Sequence, residues 1–205
     1  MKFNLLRLSL ITIMFGLTLP AAAMDFNSLP KGVQNQLKRG EIALLPSRPG
    51  ESGVADKRFV TMAKLTTENR SEIWEVVIDK ENTDKFLDNV LESRVIEQNG
   101  NVILMEQRTK VGGPKGSYQY TLKYHLTPET KAEFSFVKGD IKNVQGGWWI
   151  LDGPTPAQKL LVYSLHIDPG GFAPQFIVQK GMKKSIPETI LSTEAEVIRR
   201  RKAAR

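Results

Sequence analysis

Six strand-like runs follow one another with no room for a crossover helix between them: "SRVIEQ", "NVILMEQRTK", "SYQYTLKYHL", "KAEFSFVK", "GGWWIL" and "KLLVYSLHI". Their connections, "NG", "GGPKG", "TPET", "KGDIKNVQ" and "DGPTPAQ", are short and rich in turn-forming residues. Parallel neighbours would need a dozen or more residues per connection, so the six are constrained to pair as antiparallel hairpins. "QNGN", Gln98 to Asn101, is the clearest two-residue turn. A seventh strand, "RFVTMAKL", precedes this meander, and "TTENRSEIWEVVIDKENTDKFLDNV" between them predicts two short helices. There Ile73, Trp74, Val77 and Ile78 recur at helical spacing, continued by Phe86, Leu87 and Val90. From about Pro174 onward Val178, Met182, Ile186 and Ile190 recur every four residues, which predicts a long terminal helix that Pro187 should kink or break. The expected class is α+β: about seven antiparallel strands, two short helices after the first, and one long C-terminal helix.

The alternation also sorts side chains by face. Tyr118, Tyr120, Leu122, Tyr124 and Leu126 share one face of their strand. A packed core avoids polar atoms, and a buried tyrosine needs a partner for its hydroxyl. A cavity wall, apolar in body but able to hydrogen-bond, satisfies both demands; ordinary core is the other reading. Phe134 and Phe136 continue the face on the next strand, and Tyr163 and Leu165 on the last. Trp149 is placed with them over Trp148 by its phase with Leu151. The histidines, His125 and His166, both fall on the opposite phase and are expected at the surface. Glu106 and Arg108 share a face with Val102 and Leu104; if Met105 points inward instead, they form a solvated pair, which is the preferred expectation. No metal-ligand spacing and no nucleophile with its base is visible, so neither a metal nor a cofactor is expected. "KVGGPKGS" lacks phosphate-loop spacing and joins two strands; it reads as a hairpin loop, with Lys110 and Lys115 at the rim.

The first residues, "MKFNLLRLSLITIMFGLTLPAAAMDF", combine Lys2 and Arg7, an apolar run from Leu8 to Leu19, and Ala21 and Ala23 in small-x-small order. This is the pattern of a secretory signal peptide cut after Ala23, and the run is too short for a bilayer span. The chain is expected to be exported, to the periplasm if the host has two membranes and otherwise secreted. Having no cysteine, it can be held by no disulfide. The net charge of +7 is no nucleic-acid signal, since Lys2, Arg7, Arg199, Arg200, Arg201, Lys202 and Arg205 account for all of it. The terminal cluster, residues 199–205, reads as a solvated helix end whose cations suit the helix dipole, and secondarily as a weak contact for an anionic membrane surface. Residues 24–56 are an extension: a short helix capped by Ser28, with Pro30 in its first turn and Gly40 as its stop, then the loop "LPSRPGESG".

Three segments between Arg58 and Arg200 resemble a known family. "SEIWEVVIDKENTDKFLDNV", "GGWWILDG" and "LVYSLHIDPGGFAPQFIVQKGMKKSIPETI", in that order, are similar to motifs of the START/polyketide-cyclase (SRPBCC) superfamily. The resemblance implies a helix-grip domain over residues 57–198, in which a curved antiparallel sheet wraps the C-terminal helix and leaves a cavity. It implies a hydrophobic ligand (a lipid, an isoprenoid or quinone, or a sterol-like molecule) lined by Tyr118, Tyr120, Tyr124, Phe134, Phe136, Trp149, Tyr163 and Met182. Phe172 and Phe176 would flap at its mouth. The superfamily also holds cyclases and dehydratases, which place polar residues deep among the lining; no convincing set of that kind is visible, so binding without catalysis is preferred. A secreted interaction protein with a filled cavity is the third reading. Mass spectrometry of protein from the native host is expected to find Met24 as the N-terminal residue; residues 1–23 retained on the soluble protein would refute the export signal.

Overall fold

A computed structural model describes residues 24–51, 56–110, 116–171 and 174–205. The strands are β1 (Ala43–Leu44), β2 (Val60–Thr66), β3 (Val90–Asn99), β4 (Val102–Lys110), β5 (Ser117–Thr127), β6 (Lys131–Gly139), β7 (Asn143–Asp152) and β8 (Lys159–Asp168). They form one antiparallel sheet in the order β1-β2-β8-β7-β6-β5-β4-β3. The meander is as expected, and β2 returns to pair with the last strand, β8, where Thr61 and Ser164 share a buried hydroxyl–hydroxyl hydrogen bond of 2.8 Å. The strand missing from the sequence reading is β1. Two residues carry too little alternation to register, and they pair with β2 because α1 (Lys31–Lys38) turns the chain back at Gly40, whose φ of +78° suits glycine.

The sheet is strongly coiled. Register shifts interrupt β3 against β4 and β5 against β6, each adding local twist. At Gly146 an added Cβ would lie 2.1 Å from the Ser164 carbonyl oxygen and 2.7 Å from Phe134 Cζ, so only glycine permits this approach.

The long helix α3 (Gln175–Ala203) lies in the concave face and buries Met182, Ile186, Ile190 and Val197. Pro187 does not break it. The proline removes one backbone donor, but the helix continues through it, with Ile186 and Ile190 on either side fully buried. Helix α2 (Arg70–Ile78) is capped by Asn69, whose side chain accepts from the Ser71 N–H at 3.2 Å, and packs against α3. The second expected helix is a single 3-10 turn, Thr83–Lys85. Outside the sheet, the N-terminal extension forms a second core. Phe26, Leu29, Leu37 and Leu45 pack on Ala63, Leu65, Trp149, Leu160 and Val162. In the extension Asp25, not Ser28, caps the turn Phe26–Ser28, and Pro30 precedes α1 at its cap.

Two expectations change here. His166 does lie on the outer face, opposite to Tyr163, but that face is covered. It is buried against Phe59, with ring centroids 5.4 Å apart, and the Arg48 guanidinium covers Phe59 in turn at 3.7 Å. Its burial holds the imidazole below the ordinary pKa. The basic tail is also not simply solvated, because α3 continues to Ala203 alongside α2. Arg200 donates to Asp79 at 2.6 Å and to Glu196 at 2.7 Å, and Arg201 reaches Glu68 and Glu72. Glu196, only 6% exposed, also accepts from Arg199 at 2.6 Å.

Removing Arg200 would leave a buried carboxylate with one partner in place of two. Arg200→Ala is expected to cost about 1–2 kcal/mol at pH 7 by denaturant unfolding, and Lys202→Ala nothing measurable. The arginines hold the Glu196 carboxyl at about 2, below the ordinary 4.5. The contribution of the cluster is therefore complete above pH 4.5 and lost as pH falls toward 2, and the gap between the two proteins should close over that window.

Candidate functional site

The coiled sheet does not pack against α3 along its whole length, and the mismatch is left as space. Between the concave face and α3 lies a cavity of about 360 Å³, within the range of about 300–1,000 Å³ usual for small-molecule sites. Tyr118, Tyr120, Leu122 and Tyr124 of β5 form one wall, and Phe134, Val144, Tyr163 and Leu165 the next. Helix α3 closes it with Val178, Met182 and Thr189, and Leu87 and Val90 close the remaining side. Its exposed members, Lys110, Ile177 and Gly181, mark the mouth; Tyr124 and Phe134, paired with each other well along β5 from the Lys110–Ser117 pair, mark the inner end.

The polar groups of the lining are mostly hydroxyls. Tyr120 Oη and Thr109 Oγ1 are 2.6 Å apart, and Gln107 Nε2 donates to the same threonine oxygen at 3.2 Å. Burial raises the pKa of Tyr120, Tyr124 and Tyr163 above the ordinary phenol value, so their hydroxyls stay protonated and can both donate and accept. The aromatic wall is continuous: Tyr124 lies 5.2 Å from Phe134 centroid to centroid, Phe134 6.5 Å from Tyr163, and Tyr163 4.4 Å from Trp148.

Of the residues singled out in the sequence, Tyr118, Tyr120, Tyr124, Phe134, Tyr163 and Met182 border this cavity. Phe136 packs half-buried on the same core but does not border it; it pairs with Leu122 just beyond the register shift in β5. Trp149 is on the wrong face. It does share a face with Leu151, as its phase requires, but that face packs under the N-terminal extension. Trp148, paired with Tyr163, is the tryptophan of the inner core. Thr109, Val144 and Thr189 were not anticipated. Met105, fully buried, sets the phase that turns Thr109 inward, and Thr189 stands one helical heptad after Met182. Val144 had no such signal, since paired glycines and tryptophans hide the alternation of β7.

The phase set by Met105 turns Glu106 and Arg108 outward, as preferred. Arg94 donates to Glu106 at 2.9 Å and Arg108 to Glu92, across the β3–β4 pair on the outer face. Hydrogen bonding by Arg94 holds the Glu106 carboxyl below its ordinary pKa. His125 is exposed. No group of three metal-ligating side chains occurs among the described residues. At the mouth Phe176 is 71% exposed and Ile177 51%. Phe172 and Lys115 lie outside the described residues.

A largely apolar cavity held between a curved antiparallel sheet and a long terminal helix defines the helix-grip class of small-molecule-binding domains. The model of the family described as polyketide cyclase/dehydrase and lipid transport matches residues 69–192, and the chain belongs to that family. Solved structures with the same fold include an aromatase/cyclase from a Streptomyces species, 14% identical, covering 71% of this chain and 96% of that one, with a TM-score of 0.62. A STAR-related lipid transfer protein from Xanthomonas axonopodis is 11% identical, covers 76% of this chain and 92% of its own, and gives a TM-score of 0.60. Human StAR-related lipid transfer protein 5 is 16% identical, covers 77% and 81% respectively, and gives 0.60. A search of curated proteins finds no significant match.

Proposed function

We propose that the mature chain is an exported binding or carrier protein for a hydrophobic small molecule, a lipid, an isoprenoid or quinone, or a sterol-like compound, and that it catalyses no reaction on it. The cavity carries this reading. Its walls offer apolar area and aromatic faces, and the hydrogen bonding of Tyr120, Thr109 and Gln107 already satisfies the central polar groups. A cyclase or dehydratase would need an acid and a base set against the substrate, and the one pair of that kind considered, Glu106 and Arg108, lies on the far side of the sheet. A void of this size also argues against a pocket filled by its own side chains. The N-terminal pattern supports export.

A carrier must exchange its ligand, and the mouth suits a bilayer better than the tail does. Phe176 and Ile177 stand exposed beside Lys180, Lys183 and Lys184, with no acidic residue in the first turn of α3. Apolar side chains ringed by cations match an anionic lipid surface.

Gly181 borders the cavity, and an added Cβ there meets nothing within 4 Å. Gly181→Leu is therefore expected to fold at least as stably, helix propensity favouring it by about 0.5–1 kcal/mol, while occluding the mouth. Native mass spectrometry of protein from its own host should show a co-purifying hydrophobic molecule on the wild type and not on this variant. A ligand-free wild type with a full complement of side chains in the void, or turnover of an added polyketide-like substrate, would overturn the reading. Vesicles containing phosphatidylglycerol should pellet the wild type, and Phe176→Ala/Ile177→Ala should lose that binding while Lys202→Ala/Arg205→Ala keeps it; the reverse pattern would return the contact to the tail.

A further inference from the structure

The segment between α2 and the following 3-10 turn carries a lysine into the protein. Lys80 is only 5% exposed. Its carbonyl accepts hydrogen bonds from the Ser93 hydroxyl and, at 3.3 Å, from Thr83 Oγ1, which anchors the backbone. The side chain turns inward, and its Nζ lies 4.3 Å from the ring centroid of Tyr124. Tyr124 also borders the inner end of the cavity; Lys80 itself is not among the lining residues and is linked to the cavity through that ring.

Among the described residues the ammonium has no ion-pair partner. Asp79 is held by Arg200 at 2.6 Å and by Asn82 at 2.8 Å. Glu81 accepts from the main-chain N–H of Val95 at 2.7 Å. Glu196 is clasped by Arg199 and Arg200. Among the described residues no ion pair or hydrogen bond is formed with Lys80 Nζ; it lies over the face of Tyr124, and Asp79 attracts it without pairing with it. A ring face returns only part of what an ammonium loses on leaving water. Burial accordingly pushes the amine down to about 7, against a smaller opposing effect of Asp79. The fold thus buries an amine one aromatic ring away from the cavity lining and engages Asp79, Glu81 and Glu196 with other partners.

We propose that Lys80 is the counter-charge for the ligand: the cavity takes an amphiphile with a carboxylate head, which enters first and settles at the inner end beside Tyr124 and Lys80, with its apolar tail toward the mouth. This rests on the reading of the cavity as a ligand site, and it narrows the ligand from hydrophobic molecules in general to acidic ones. The carboxylate completes the pairing that the chain withholds, and the Tyr124 hydroxyl is a second donor to it. Binding holds the amine in its charged form, so the complex takes up a proton at pH values where the free amine is mostly neutral.

Myristic acid and 1-tetradecanol, matched in chain length, separate the two questions. Titration calorimetry at pH 8 is expected to show wild-type protein binding the acid at least tenfold more tightly than the alcohol. In buffers of different ionisation enthalpy, acid binding should take up close to one proton and alcohol binding none. Lys80→Met should lose the preference for the acid, keep the alcohol within about twofold, abolish the proton uptake, and melt no lower than wild type, since it removes an unpaired buried charge. If Lys80→Met does not fold, Lys80→Gln serves, and the proton uptake of the wild type needs no variant. Equal affinity for acid and alcohol with no proton uptake would overturn the Lys80 assignment and leave the cavity reading standing. Failure of the wild type to bind either probe would overturn both.

Discussion

The structure depends on a geometric misfit between a coiled sheet and the long helix that it wraps. Eight antiparallel strands bend around α3, and the bend is enforced where side chains are missing or registers slip. Gly146 lets β7 approach Ser164 and the ring of Phe134 more closely than any residue with a Cβ would allow. The shifts in β3 and β5 add twist at the other end of the sheet. Ile186 and Ile190 fill the contact where sheet and helix meet closely, and the cavity remains where they diverge.

Because the misfit leaves a void, the helix must be held from elsewhere. Part of the hold is ionic. Arg200 and Arg201 tie the end of α3 to Asp79, Glu68 and Glu72, and Glu196 anchors Arg199 and Arg200 from within the same helix. Arg70, at the start of α2, reaches the carbonyl oxygen of Ile150 and the carboxylate of Asp152 on β7, joining helix and sheet on that side. The outer face of β2, β7 and β8 is sealed by the N-terminal extension, whose Phe26, Leu29 and Leu37 convert an exposed sheet surface into a second core. The strands β2 and β8 are therefore buried on both faces, β4 on one, and the edge strand β3 is mostly exposed.

The interior keeps two kinds of polarity apart. The hydroxyls of Tyr120 and Thr109 satisfy each other in the middle of the apolar wall, which is the usual condition for burying such groups. Lys80 is not satisfied in this way, and its neighbours Asp79 and Glu81 face other partners. The contrast between a self-contained hydroxyl network and an uncompensated cation gives the cavity a direction, apolar and open toward Gly181, charged behind Tyr124.

Much of this was legible in the residues. Alternation and turn spacing determined the antiparallel meander, because a period of two and short connections admit no other pairing, and four-residue spacing determined α3. The same alternation brought Tyr118, Tyr120 and Tyr124 to one face. Tertiary structure decided what alternation cannot express. Period two says that Trp149 and Leu151 share a face but not which face is inner, and only the packing of the extension answered that. Phe59, with Arg48 stacked over it, covers His166 on a face that parity alone would leave to solvent. The arginines of the tail read as solvated because their partners, Glu68, Glu72 and Asp79, lie more than a hundred residues away in sequence. Nothing in the sequence sets Lys80 apart from the other lysines. Its burial and the engagement of Asp79, Glu81 and Glu196 by other partners are properties of the assembled chain, since desolvation and pairing depend on distances that sequence order does not contain.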